Sequence, residues 1–195
     1  MSFWSEITIP GKPRLLIVEG SRNIQGWEAD FCDRLFNVLR RKGMELVSET
    51  PLRVNHSQDL ESALQDHDTF NCLFLLCHGV GTHVPEESKL SSLWSGLSSY
   101  KGLPPTLLAV CTWESHDPVA SQSILAARDS FAQLAIVPQS ALSPRAAGLF
   151  FMKFFTELNL HAHDSITGKM VWFSHSKARE ILKRRNLPGQ VGMRC

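Results

Sequence analysis

Apolar residues fall into two patterns along the chain. Short continuous runs occur at 14–19 (RLLIVE), 71–77 (NCLFLLC) and 106–112 (TLLAVCT), with weaker ones at 44–47 and 134–137. Runs of this length, bounded by Gly or polar residues, predict strands. Unbroken apolarity, rather than alternation, predicts burial on both faces, as in a parallel sheet. Between the runs, apolar residues recur at steps of three and four. Trp27, Phe31, Leu35 and Val38 make one helical stripe, which Gly43 stops. Leu60 and Leu64 mark a short helix over 57–65, and another is expected over 118–131. Ser143 caps a helix that Pro144 begins, with Ala147, Phe151, Phe154 and Leu158 as its buried stripe. A last helix is expected from Ser165 to Arg185, burying Met170, Phe173 and Ile181. Residues 80–105 are rich in Ser, Gly and Pro, with a weakly helical piece at 90–97.

Strands alternating with helices predict an α/β fold with a mostly parallel sheet and right-handed crossovers. The chain of 195 residues fits one domain, read here as a leader over 1–13, a domain over 14–185 and a flexible tail over 186–195. Apolar residues make up 43% of it, enough for a sizeable core. Lys and Arg number 20 against 19 Asp and Glu, so no broad nucleic-acid-binding face is expected. No apolar run is long enough to span a membrane, and the first ten residues do not read as an export signal. The expected location is the cytoplasm, where five unpaired-looking Cys residues are free thiols.

In parallel sheets, sites lie beyond the carboxyl ends of strands. There NCLFLLC is followed by His78 and Gly79, and TLLAV runs into Cys111. About 30 residues separate the two, the length of one strand–helix–strand crossover. If the strands are neighbours, their axes lie about 5 Å apart and an imidazole can face a thiol. A Cys–His pair suffices for nucleophilic catalysis: the imidazole lowers the thiol pKa and later protonates the leaving group. Gly79 allows a backbone N–H to approach a substrate carbonyl closely, and the Cys111 N–H offers a second oxyanion donor. On spacing alone, the packing role of a strand-end Cys and the turn-opening role of a His before Gly take precedence.

A resemblance reverses that order. LFLLCHG resembles the strand-then-His-Gly block of caspase-like peptidases, and LLAVCT their strand ending in the nucleophilic Cys. AIVPQSALSPRAAGLFFMKFFTEL and MVWFSHSKAREILK are similar to later segments of CHAT domains, caspase-like relatives often attached to tetratricopeptide repeats. The resemblance covers roughly residues 15–185 and is strongest over 71–158. It implies a three-layer caspase-like fold and a cysteine endopeptidase acting on a protein substrate. His78 would be its general acid/base, Cys111 its nucleophile, and no cofactor is implied. Many family members carry Ser-Ala-Cys-Glu at the nucleophile, whereas this chain has Ala109-Val110-Cys111-Thr112. Family members often carry repeats as well, so regulation here would come from a separate protein.

Other residues have plainer readings. Cys72, Cys77, His78 and His83 are spaced unlike structural zinc ligands, and Cys72 and Cys77 point to opposite faces of one strand, so no metal site is expected. His161 and His163 read as solvent-facing loop residues. Trp113 and Glu114 would border the substrate cleft, Glu114 attracting a basic side chain, while Asp117 caps the helix begun by Pro118. Cys32 and residues 150–155 read as core, 183–185 as a solvated helix end, and Cys195 has no assigned role. Two rival readings stand beside the peptidase. One is a catalytically silent caspase-like interaction module. The other is a flavodoxin-like ligand-binding domain, which the lack of a Gly-rich phosphate loop after the first strand disfavours.

Overall fold

The most apolar segments of the chain occupy the centre of a parallel sheet. The computed structural model describes residues 6–20, 30–67, 69–77, 107–112, 132–138, 142–187 and 191–194. In chain order they form β1 (Thr8–Pro10), β2 (Arg14–Gly20), α1 (Phe31–Arg41), β3 (Glu45–Leu46), β4 (Leu52–Val54) and α2 (Ser57–Asp66). Next come β5 (Cys72–Cys77), β6 (Leu107–Thr112), β7 (Leu134–Pro138), α3 (Pro144–His161), β8 (Ser165–Thr167), α4 (Gly168–Arg184) and β9 (Val191–Arg194). The main sheet runs β3-β2-β5-β6-β7-β9, with β4 beside β2 on the same edge as β3. All its neighbours are parallel except β7 and β9. The segments expected as helices at 90–97 and 118–131 lie outside the described residues.

Alternation along the strands sorts the core into two layers. Leu15, Ile17, Cys72, Phe74, Leu76, Leu107, Ala109 and Ile136 face α1, α3 and α4. Leu16, Val18, Leu73, Leu75, Leu108 and Val110 face α2 through Leu60 and Leu64. Helices on both faces make this the expected three-layer α/β architecture.

The four phenylalanines of α3, Phe150, Phe151, Phe154 and Phe155, are wholly buried, as the sequence predicts. Phe151 and Phe155 meet Phe74 of β5 edge-on at 4.9 and 6.1 Å between centroids. The start of α3 is as predicted: the Ala146 N–H donates to Ser143 Oγ at 3.2 Å, and Pro144 follows the cap. On α1 the buried stripe is broader than the sequence pattern, adding Cys32, Phe36 and Leu39 while Val38 is half-buried. Gly43 ends that element with a φ of 75°, a conformation costly for any residue with a Cβ.

Both chain ends depart from the expected leader and flexible tail. Strand β1, within residues 1–13, pairs antiparallel with β8 and buries Ile9. Residues 165–167, expected to open the last helix, form β8 instead, and that helix starts at Gly168 after the Thr167 cap. Strand β9, within residues 186–195, pairs antiparallel with β7 from Pro138↔Val191 to Ala135↔Arg194. Three- and four-residue strands carry too little periodicity to be read alone; the partner strand supplies their hydrogen bonds.

The buried stripe of α4 is also different. Val171, Ser174, His175, Ala178 and Leu182 are buried, whereas Phe173 is exposed and Met170 and Ile181 are only half-buried. The reason is polar: His175 Nε2 donates to the carbonyl of Val191 at 2.7 Å, fastening α4 to the start of β9. Burial lowers the His175 pKa, the bond to Val191 opposes this, and Arg179 adds to the lowering. The unfolded chain therefore takes up a proton near pH 6.5 that the folded state takes up only at lower pH. Stability is full above that value and declines as pH falls toward the folded pKa. Denaturant midpoints should drop between about pH 7.5 and about pH 5.5, and His175→Gln should flatten that drop.

Asn71 organises the amino ends of the central strands. Its Oδ1 accepts from the Arg14 N–H at 2.8 Å, and its Nδ2 donates to the carbonyls of Pro10 at 3.0 Å and Lys12 at 2.8 Å. These bonds hold the turn between β1 and β2, where Gly11 has a φ of 85°. Asn71→Ala removes all three bonds at this part-buried turn. It should cost about 2–3 kcal/mol in urea unfolding, while the neighbouring Thr69→Ala should be near neutral.

Candidate active site

The two blocks that carry the candidate dyad leave the sheet side by side. Strands β5 and β6 are adjacent and parallel, with Leu76 opposite Cys111 and Cys77 opposite Thr112. On the other side of β5, Glu19 is opposite Leu76 and Gly20 opposite Cys77. Three parallel strands thus end at one edge, the edge where sites of such sheets lie. His78, Gly79, Trp113 and Glu114 lie outside the described residues, as does Asp117. The described residues therefore fix where each block leaves the sheet and where Cys111 sits.

Cys111 follows Leu107 and Ala109 in the alternation of β6, so its side chain enters the layer beneath α1 and α3, where it is fully buried. The candidate nucleophile is thus covered rather than open to a cleft in this arrangement. An apolar strand that ends one residue beyond Cys111 carries the thiol into the core with it. Cys32 of α1 lies in the same region. Burial pushes its thiol well above the ordinary range; Glu19, Cys111 and Asp33 raise it further, and Arg53 opposes them. Cys72, also wholly buried, is pushed far up by burial alone. Thiols so poor in thiolate are inert, which fits the core reading of Cys32.

One acidic residue at this edge was not singled out from the sequence. Glu19 is the penultimate residue of β2 and is only 3% exposed. Its Oε2 lies 3.4 Å from Arg53 Nε on β4, and Arg53 Nη2 reaches Asp33 Oδ2 on α1 at 2.8 Å. Burial raises the Glu19 pKa, and Arg53 pulls it back. Glu19 and Cys111 stand in one row with Leu76 between them, so their backbones are roughly 10 Å apart. The thiol that the Glu19 charge raises is that of Cys32. The available signal was an acid ending an otherwise apolar strand, which in a parallel sheet means a carboxylate at the functional edge.

Among the described residues, no group of three or more His, Cys, Asp or Glu is placed to hold a metal ion. His161 and His163 are exposed, as the sequence predicts, but His161 is the last residue of α3 rather than a loop residue and lies 3.6 Å from Glu157. Among the described residues no helix is long and apolar enough to cross a membrane.

No protein-family model and no curated protein matches the chain. Among solved structures, one similar chain is a fusion carrying amino acids 181–211 of the yeast Spc42 trimeric coiled coil. It is 14% identical, the match covers 90% of this chain and 96% of that one, and the TM-score is 0.38. A likeness of that degree carries no argument about fold or function.

Proposed function

We propose that the protein is a cytoplasmic caspase-like cysteine endopeptidase. The observation that supports this reading is the register of β5 and β6, which ends the His78 and Cys111 blocks on adjacent strands at one sheet edge. In this reading His78 takes the proton of the Cys111 thiol as the sulfur attacks the scissile carbonyl. The Gly79 and Cys111 N–H groups stabilise the oxyanion. As the intermediate collapses, the C–N bond breaks, the amine leaves with the proton from His78, and a thioester remains. Water, activated by His78, cleaves that thioester, restores the thiol and releases the new carboxyl group.

Full burial of Cys111 makes attack conditional on an opening of the carboxyl edge, which a separate activating protein would favour. The test is alkylation by a peptidyl electrophile, followed residue by residue. Cys32 and Cys72 stay unlabelled in the folded protein. Cys111 labels at a rate that stops rising with reagent concentration, because opening limits it. Equal labelling of all three thiols counts against a site.

Preference at the cut belongs to the same proposal. Glu114, three residues beyond Cys111, borders the first substrate pocket beside Trp113. Cleavage then follows Arg or Lys rather than Asp, by charge attraction and repulsion. Peptide-library profiling checks this. Glu114→Gln should lower the preference for basic residues about tenfold or more, and a wild-type preference for Asp would reverse the sign of the argument.

The same burial of Cys111 favours a second reading, a catalytically silent caspase-like interaction module. In that case Cys111 serves packing, and alkylation matches that of Cys32 with or without an activator.

A further inference from the structure

The outer face of α4 carries surface that its own fold does not use. Its inner face is buried through Val171, Ser174, His175, Ala178 and Leu182. Outside, helical spacing sets Trp172, Ser176, Arg179 and Lys183 in one row and Phe173, Lys177, Glu180 and Arg184 in the next. Trp172 is 57% exposed and Phe173 37%; with Leu160 at 59%, they are the exposed large hydrophobic residues among the described residues. Single exposed apolar side chains are ordinary, but Trp172 and Phe173 share one groove. His161, next to Leu160 at the end of α3, meets the Phe173 ring edge-on at 4.9 Å. Trp172 and Phe173 then line a groove of about 410 Å³ together with Ser176, Lys177, Arg179, Glu180 and Lys183.

Three cations, Lys177, Arg179 and Lys183, and one acid, Glu180, line this groove, so its charge is net positive. Glu180 is already held by Arg184 at 2.8 Å and Lys177 at 3.7 Å. The Lys177 ammonium also stands 5.5 Å from the Phe173 ring centroid. Arg179 and Lys183 line the groove and make no ion pair with a described residue. An aromatic floor beside two uncompensated cations suits an acidic chain bearing a bulky apolar side chain. A flat anionic membrane fits less well, because the aromatic rings line a groove rather than standing out from a plane.

We propose that the outer face of α4 is a docking surface for an acidic segment of a partner protein, with an apolar side chain against Trp172 and Phe173 and carboxylates on Arg179 and Lys183. This goes beyond the peptidase reading and holds whether or not Cys111 is a nucleophile. The experiment selects a random peptide display library on the full chain, then measures synthetic versions of the recovered peptides against wild type, Trp172→Ala and the Arg179→Glu, Lys183→Glu double variant. Recovered peptides should be rich in Asp and Glu around Leu, Phe or Trp. Each variant should weaken them about tenfold or more, and added salt should weaken them further. The replaced side chains are exposed, so far-UV circular dichroism should match wild type. Recovery of no binding peptide, peptides without acidic bias, or undiminished binding to both variants would overturn the proposal. So would Trp172-dependent sedimentation with phosphatidylcholine–phosphatidylserine vesicles in the absence of peptide binding, which would assign the face to membrane.

Discussion

In the proposed peptidase, Cys111→Ala and His78→Ala are each expected to abolish peptide cleavage, by a factor of about 1,000 or more, while the folded state persists. Removing either partner removes a whole step: without the thiol no acyl-enzyme forms, and without the imidazole the thiol stays protonated and the leaving amine unprotonated. The double variant should be no worse than the single ones, because residues acting as a unit are not additive. Loss of the buried sulfur itself should cost only about 1 kcal/mol of stability. Activity and denaturant midpoint, measured on the same preparations, separate the two effects. Cleavage that survives Cys111→Ala would place the nucleophile elsewhere. Wild type that cuts nothing under any condition would leave the silent module as the reading.

Phe74→Ala should produce the largest loss of stability, about 3–5 kcal/mol. Phe74 sits at the middle of β5, fully buried, with rings of Phe31, Phe151 and Phe155 around it. Truncation leaves a cavity between the sheet and α3 that rigid aromatic neighbours fill poorly, so the cavity cost adds to the lost transfer energy. Phe74→Leu should cost roughly a third as much, since most of the volume stays. Urea titrations of the two variants test this; equal costs would mean that the site relaxes freely around any apolar side chain.

Much of the fold was legible in local pattern. RLLIVE, NCLFLLC and TLLAVCT are unbroken apolar runs through their middles, and only a strand covered on both faces tolerates that. The α3 start at Ser143-Pro144 and the stop at Gly43 rest on backbone chemistry that a neighbour cannot alter. The edge at which a site would sit followed from the same reading, because parallel strands point their carboxyl ends one way.

What local pattern left open depended on partners distant along the chain. Strands β1, β8 and β9 are too short to declare themselves, and each exists because another segment offers unpaired N–H and C=O groups. The inner face of α4 turned on His175, whose buried imidazole is tolerable only because the Val191 carbonyl waits for it. Glu19 showed as a charge ending a strand, yet its burial beside Arg53 depended on β4 pairing with β2. Cys111 joins both halves. The sequence alone determined that a thiol ends an apolar strand at the carboxyl edge, since that needs only period and polarity. Tertiary structure alone decided that the thiol points into the helical layer and not toward water. A strand's alternation defines two faces, but which helices cover which face is set by packing across the whole sheet.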